Sequence, residues 1–423
     1  MYHILDHVSA VNKGERDAMD FFRRLRIGIR CATLLIVVAA ILTGCGGTST
    51  GAAASVPGVS NDTITIGAVL DTTGPLKVIC APILAGDQLY FNKINAAGGI
   101  NGRKIKLVQV SDSGDSTRTK DAVRQLFEQD NAFALFQVCG SGNANVAESY
   151  TNPKGIPFVD PIGGGSKFTD ANGKALPWVW MTQPNYGDEG HVIGYYVASK
   201  LHAKTAGFFY EDDVLGLQQK TTLNEALQKN GSQLLTSVGY NATQTDFTAA
   251  VQTLKAAHPD VIVLNGLPGP TASFIAAATS QGYHPPMGYV ANYPMADNSW
   301  AKVLGPAGTG TYVSGYTSTA TPVGQEYLQA TSSDAVFSAY KFYGYINAKI
   351  FTDALNKAGK SLTRDSLRNA LDHDFNNYDT GFGPSLTWTP DQHGGVSDFM
   401  FLQIKNAQLT PASDFIKAAQ VWP

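Results

Sequence analysis

Basic charge, histidine and cysteine are scarce in this chain, and each scarcity excludes something. The 423 residues carry 31 lysines and arginines against 34 acids, a formal charge of −3. Without a basic block in its body, the chain is not expected to bind nucleic acid. The eight histidines are scattered with no metal-ligand spacing, so neither a metal nor another cofactor is expected. Catalytic signatures are missing too. Gly163-Gly164-Gly165-Ser166-Lys167 lacks the Gly-Lys-Ser/Thr ending of a phosphate loop. Gly140-Ser141-Gly142 lacks the flanking residues of a nucleophile elbow. Asp71-Thr72-Thr73-Gly74 is not the Asp-Thr-Gly of an aspartic protease, and a paired acid such as Asp212-Asp213 is ordinarily solvated. These absences argue against an enzyme. No short-period repeat occurs. The apolar run Cys31–Leu42 has twelve residues, short of the roughly 20 needed to span a bilayer.

That run does fit a targeting segment. Arg23, Arg24, Arg26 and Arg30 precede it as a basic region, and Leu42-Thr43-Gly44-Cys45 follows it. The order resembles a lipoprotein signal, which implies cleavage after Gly44 and lipid on Cys45. Met19 would give a more ordinary signal length than Met1. Without residues 1–44 the chain has 25 basic and 30 acidic residues, a net charge of −5. Residues 45–60 are mostly Gly, Ser, Thr and Ala and read as a flexible tether, with a root-mean-square reach of about 20 Å. The remaining residues, about 360, exceed what one core usually supports, so two lobes are expected.

Along that remainder, strand-like and helix-like segments alternate. The most informative stretch is Gln88–Val110, QLYFNKINAAGGINGRKIKLVQV. Ile83, Gly86, Tyr90 and Ile94 recur at helical spacing. Gly98 and Gly99 can end that helix in the left-handed conformation. Asn101-Gly102 signals a turn, and Ile105–Val110 alternates as a strand. Strands are also expected at Ile64–Leu70, Ala132–Val138, Pro157–Val159, Ala206–Tyr210, Leu234–Tyr240, Val261–Leu264, Met287–Ala291 and Phe399–Ile404. Helices are expected between them, the first near Pro82–Ala97. A long helix rich in Tyr and Phe is expected over Ala335–Ala358. Such alternation means parallel sheets covered by helices on both faces. The expected fold is α/β, with two doubly wound parallel-sheet lobes.

The segment INAAGGINGRKIKLV closely resembles the first helix and second strand of the extracytoplasmic solute-binding proteins of branched-chain amino acid ABC transporters. The likeness covers about 60–405 and extends well through Pro153–Pro161 and Asp246–Leu264. It implies a type 1 periplasmic binding protein fold whose chain crosses three times between lobes, near 181, 312 and 386. The lobes would be 61–181 with 313–386, and 182–312 with 387–423. It further implies a monomer held outside the cell membrane by its lipid. There it would capture a small molecule, a branched-chain amino acid or related carboxylate or amide, and pass it to a permease driven by cytoplasmic ATPases. Two other readings stay open: a receptor that reports the ligand to a signalling partner, and a secreted α/β hydrolase.

Cys80 and Cys139 remain once Cys45 is lipidated. An even pair in an exported chain suggests a disulfide, worth at most about 4 kcal/mol. Two separate buried thiols are the alternative.

Open parallel sheets bind ligands beyond the carboxyl ends of their strands, where helix N-termini suit a carboxylate. Three loops of the first lobe fall there: Asp71–Pro75, Cys139–Asn143 and Pro161–Ser166. By resemblance they would hold the ligand through Thr73, Gly140, Ser141, Gly142, Gly163 and Gly164, with Ser141 the main hydroxyl. In the second lobe Leu215, Leu267 and Asn292 are expected ligand contacts. Leu215 stands where related amino-acid binders place a tyrosine, and Val290-Ala291-Asn292-Tyr293 lacks their late acid. Either Asp212, Asp213 or Asp71 meets an ammonium, or the ligand is not an α-amino acid.

Overall fold

The computed structural model describes residues 55–163, 168–170, 173–241 and 243–422. Residues 1–54 and 164–167 lie outside them, so the expectations for Cys45 and Gly164 do too, whereas the end of the expected tether is part of the first lobe, with Val56 and Val59 packed on its core and Val59 bridged to Ile64. Val56–Pro423 form one unit, built from two sheets.

The first sheet begins with β1 (Thr63–Val69), α1 (Lys77–Ala96) and β2 (Lys104–Val110). It continues through α2 (Ser116–Glu128), β3 (Leu135–Cys139), α3 (Ser141–Thr151), β4 (Phe158–Ile162) and β5 (Val179–Trp180). The strands are all parallel, in the order β2-β1-β3-β4-β5. β3 and β4 are buried at every residue, as expected of strands covered on both faces. The turn at Asn101-Gly102 is observed, with φ of 49° and 83° and reciprocal backbone bonds between Ile100 and Arg103. Gly99, at φ 76°, has no room for a side chain: a Cβ there would lie 2.0 Å from the Arg103 carbonyl oxygen.

α1 starts at Lys77, one turn earlier than the sequence suggests, and runs through Pro82. The proline removes one backbone donor, but Cys80 of that first turn is bonded to Cys139 at the end of β3, with Cα atoms 6.2 Å apart.

The second sheet is fed by α4 (Tyr186–Tyr195), β6 (Thr205–Glu211), α5 (Val214–Lys229), β7 (Gln233–Tyr240), α6 (Thr248–Ala256) and β8 (Val261–Leu264). Then come α7 (Pro268–Ser280), β9 (Tyr289–Ala291), α8 (Asn298–Leu304) and β10 (Tyr312–Gly315). β7, β6, β8, β9 and β10 are parallel neighbours in that order.

After β10 the chain returns to the first lobe. α9 (Pro322–Ala330), α10 (Ala339–Ala358) and α11 (Arg364–His373) belong to it, with a small ribbon of β11 (Tyr378–Asp379) and β12 (Ser385–Leu386). α10 crosses α1 so closely that glycine is required on both. A Cβ on Gly86 would sit 1.9 Å from the Lys341 carbonyl oxygen, and one on Gly344 2.1 Å from that of Ile83. This crossing buries Phe91, Phe136, Phe342, Ile346 and Phe351 in the first core. The chain finally adds β13 (Asp398–Lys405) antiparallel to β10, then β14 (Gln408–Pro411) and β15 (Ile416–Lys417) beside β13.

The passages between sheets fall near 181–185, 316–321 and 389–397. The last two lie a few residues beyond 312 and 386, because β10 pairs in the second sheet and Trp388 packs in the first core. The first and third passages run together. Trp388 Nε1 donates to the Met181 carbonyl at 2.9 Å, and the Val396 N–H to that of Thr182 at 3.0 Å. No described helix is long and apolar enough to cross a membrane.

Candidate ligand-binding cleft

A cavity of about 480 Å³ lies between the carboxyl edges of the two sheets and is walled by both lobes. In the first lobe its polar wall is the start of α3. Gly140, at φ 101°, is the N-cap residue and offers no side-chain cap. The first-turn amides of such a helix have no intrahelical acceptor, and the positive end of the helix dipole favours an anion. Ser141, Gly142 and Gly163 all line the cavity. Gly163, at φ 139°, is required here: a Cβ would lie 2.6 Å from Ser141 Oγ. Asn143 lines the wall but is committed elsewhere, its Nδ2 donating to Asp112 at 2.8 Å and its Oδ1 accepting from Ser116 at 2.8 Å. The Cys80–Cys139 bond ties the first turn of α1 to the strand that presents Gly140, and Leu76 and Ile79 line the cavity beside the start of α3.

The second lobe supplies acids. Glu211 ends β6 and Asp213 caps α5, its Oδ1 accepting from the Gly216 N–H at 2.7 Å. Both line the cavity. Among the described residues Glu211 has no side-chain hydrogen bond or ion pair. Burial first, and the neighbouring Asp213 carboxylate second, push its carboxyl up to about 7. No lysine, arginine or histidine among the described residues lines the cavity. An arriving cation would therefore meet two acids and no competing basic side chain among the described residues.

Between these poles runs a row of tyrosines. Tyr186 faces Tyr293 with ring centroids 5.2 Å apart, Tyr293 meets Tyr316 edge-on at 5.2 Å, and Tyr316 meets Tyr343 at 6.0 Å. Buried acids beneath hold them in place. The Glu189 carboxylate accepts from the Tyr293 N–H at 2.7 Å, from the Ser314 hydroxyl and from Gln219 Nε2 at 2.8 Å. Burial still pushes Glu189 up to about 8. Asp160 accepts from the Tyr343 hydroxyl at 2.6 Å and from Thr182 on the first passage. Burial raises it to about 6.

A family profile described as "Periplasmic binding protein" matches residues 63–408. The chain belongs to the periplasmic binding protein family. It is 25% identical over 325 residues to the Leu/Ile/Val-binding protein homolog 7 of Brucella abortus, covering 73% of this chain and 80% of that protein. Among solved structures, it resembles the branched-chain amino acid transporter substrate binding protein of Streptococcus pneumoniae in complex with isoleucine. That match has 19% identity and a TM-score of 0.73, covering 84% of this chain and 100% of the other. It resembles equally the solute binding protein of an ABC transporter from Rhodopseudomonas palustris in complex with 3,4-dihydroxybenzoic acid. There the identity is 18% and the TM-score 0.75, with 84% and 98% covered. The relatives are binding proteins, and this periplasmic binding protein is one too, not an enzyme. The structural likenesses establish the two-lobed fold.

Of the residues singled out in the sequence, this periplasmic binding protein brings Gly140, Ser141, Gly142, Gly163, Leu215 and Leu267 to one cavity. Thr73 is elsewhere. It is exposed, with its hydroxyl 3.1 Å from that of Ser113, because the buried Asp71 carboxylate gathers the Thr73, Gly74 and Leu76 amides and curls the loop outward. Asn292 lies behind the wall, fully buried, its Oδ1 accepting from the Gly266 N–H at 3.3 Å. Asp71 and Asp212 do not reach the cavity, whereas Asp213 does. Glu211 is not among the residues expected from the sequence, although its place at the end of a strand is a usable signal. Tyr186, Tyr316, Tyr340 and Tyr343 are not among them either.

Proposed function

We propose that this protein is the solute-binding lipoprotein of a branched-chain amino acid-type ABC importer. It works outside the cytoplasm as a monomer tethered through Cys45. It closes its lobes on a small solute and passes it unchanged to a permease driven by cytoplasmic ATPases. The observation that carries the reading is the cavity itself, walled by both sheets, with an uncapped helix N-terminus on one side and the unpaired Glu211 on the other. That polarity suits a small molecule bearing both a carboxylate and an amino group.

In this reading the amides of Ser141 and Gly142 and the Ser141 hydroxyl take the carboxylate, with Gly140 and Gly163 giving them room. Glu211, seconded by Asp213, takes the ammonium. Leu215, Leu267 and the tyrosines enclose the apolar part, whose burial is worth about 25 cal/mol per Å². Closure follows the hinge mechanism, the three passages among the described residues being where the chain can bend between the lobes.

A thermal-shift screen of aliphatic and aromatic amino acids tests it. A ligand at 100 times its dissociation constant adds about 2.7 kcal/mol. Ser141→Ala should weaken binding roughly tenfold by removing a hydrogen bond to a charged group. A screen in which no compound raises the melting temperature counts against the reading. The anchor is tested separately: Cys45→Ala should move the protein from the membrane fraction to the soluble one.

A further inference from the structure

Asp297 holds a position that the cavity does not explain. It precedes α8 in the second lobe, is 2% exposed, and does not line the cavity. Its Oδ1 performs a local task, accepting from the Ser299 N–H at 2.8 Å and so capping α8. Its Oδ2 reaches into the other lobe. There it accepts from the Ala339 N–H at 2.7 Å, the Ser338 hydroxyl at 3.0 Å and the Tyr340 N–H at 3.5 Å. These three residues begin α10, the helix that crosses α1 in the first core. One carboxylate therefore caps two helices that belong to different lobes.

α8 is firmly part of its own lobe. Trp300 and Ala301 are buried in the second core, and Trp300 Nε1 donates to the Pro268 carbonyl at 3.0 Å. The carboxylate cannot follow α10 if the lobes part. A second tie lies beside it, where the Tyr340 hydroxyl donates to the Pro294 carbonyl. Pro294, Ala296, Ala339 and Tyr340 all line the cavity, so the junction borders the solute while Asp297 itself stays out of reach.

We infer that Asp297 is an interlobe clamp, a positioning residue that holds the lobes closed by capping α10 across the cleft. A negative charge at a helix N-terminus accepts several amides at once and is stabilised by the helix dipole. Closure supplies that charge to α10, and opening withdraws it and leaves the part-buried donors at the start of α10 to water. The clamp thus adds to closure without a ligand contact. The inference rests on the closure reading above but not on the identity of the solute.

Asp297→Asn tests it with little change of shape. The amide oxygen can keep capping α8, while the amide nitrogen would point at the Ala339 N–H and repel it. The readouts are the radius of gyration from small-angle scattering and amide hydrogen exchange, on the processed full-length chain, with and without 10 mM L-leucine as probe (roughly 100-fold above a 0.1 mM dissociation constant). The clamp predicts a larger radius than wild type and exchange at Ala339 and Tyr340 faster by about tenfold or more. Ser338→Ala also removes the cap that Ser338 Oγ gives the Lys341 N–H, so only its radius reports the clamp and should rise by less, and Tyr340→Phe should add to Asp297→Asn. Equal radii with unchanged exchange at Ala339 and Tyr340, in a variant that melts cooperatively, would overturn the clamp. A ligand-induced thermal shift in the wild type alongside that result would leave the binding function standing.

Discussion

Glu211 shows how one residue sets the chemistry of the cleft. Its backbone closes β6, where a parallel strand must deliver its last side chain to the carboxyl edge. Half-buried, facing Asp213 and without a cation, its carboxyl rises to about 7. Tyr240, whose hydroxyl accepts from the Leu267 N–H at 3.0 Å, packs behind it and brings no positive charge. The sign of the resulting pH effect follows. The free protein holds a proton on Glu211 below about 7, while an ammonium-bound site requires the carboxylate. Lowering the pH therefore makes binding release a proton, and affinity for an amine-bearing ligand should fall by up to about tenfold per unit below neutrality. Calorimetric titration at several pH values checks this. Glu211→Gln should weaken binding at neutral pH and flatten the profile, and a wild-type profile already flat over this range would remove Glu211 from the ligand.

At the scale of elements, the α1–α10 crossing organises the first lobe. Only glycine allows Gly86 and Gly344 to bring the two backbones into contact, and the aromatic core closes around that contact. Gly86→Ala should destabilise the protein by about 2 to 3 kcal/mol, because the obstacle is backbone and cannot rotate away. Chemical denaturation measures it, and a loss below about 0.5 kcal/mol would mean that the helices slide apart freely.

The same scale separates what could be read in the sequence from what could not. The βα alternation was legible because parallel strands buried on both faces leave unbroken apolar runs such as Val261–Leu264, the range observed for β8. The turn at Asn101-Gly102 was legible because its backbone angles demand those residue types. β5, α8 and β10 were not: β5 and α8 have two and seven residues, too few for a period to show, and β10, as long as β8, reads Tyr-Val-Ser-Gly and offers no apolar run. α1 was placed late because Pro82 reads as a start, whereas Leu76 and the Cys80 bond carry the helix one turn further back. The site divided likewise. The loop Gly140–Gly142 could be placed at the carboxyl edge because it follows a strand, and its assignment to the site came from the resemblance. The tyrosine row could not be placed, because Tyr186, Tyr293, Tyr316 and Tyr343 meet only when both lobes and a passage between them are in place.

On the scale of the whole molecule, two sheets that share no strand among the described residues face each other across a cavity, and three described passages join them. Each lobe contributes one pole, the α3 N-terminus or Glu211, and neither alone surrounds a solute. In the function proposed above this division couples capture to closure: a ligand that satisfies both poles would stabilise the closed form, and one that satisfies a single pole would do so weakly. The most direct measurement is calorimetric titration of the processed wild-type chain with matched pairs, L-leucine against 4-methylpentanoate and L-phenylalanine against 3-phenylpropanoate. Each pair differs only in the amino group. At least one amino acid should bind roughly 100-fold more tightly than its des-amino partner, since the latter makes no charge-assisted hydrogen bond to Glu211. Des-amino acids that bind as tightly as the amino acids, or no binding by any member of either pair, would contradict the account.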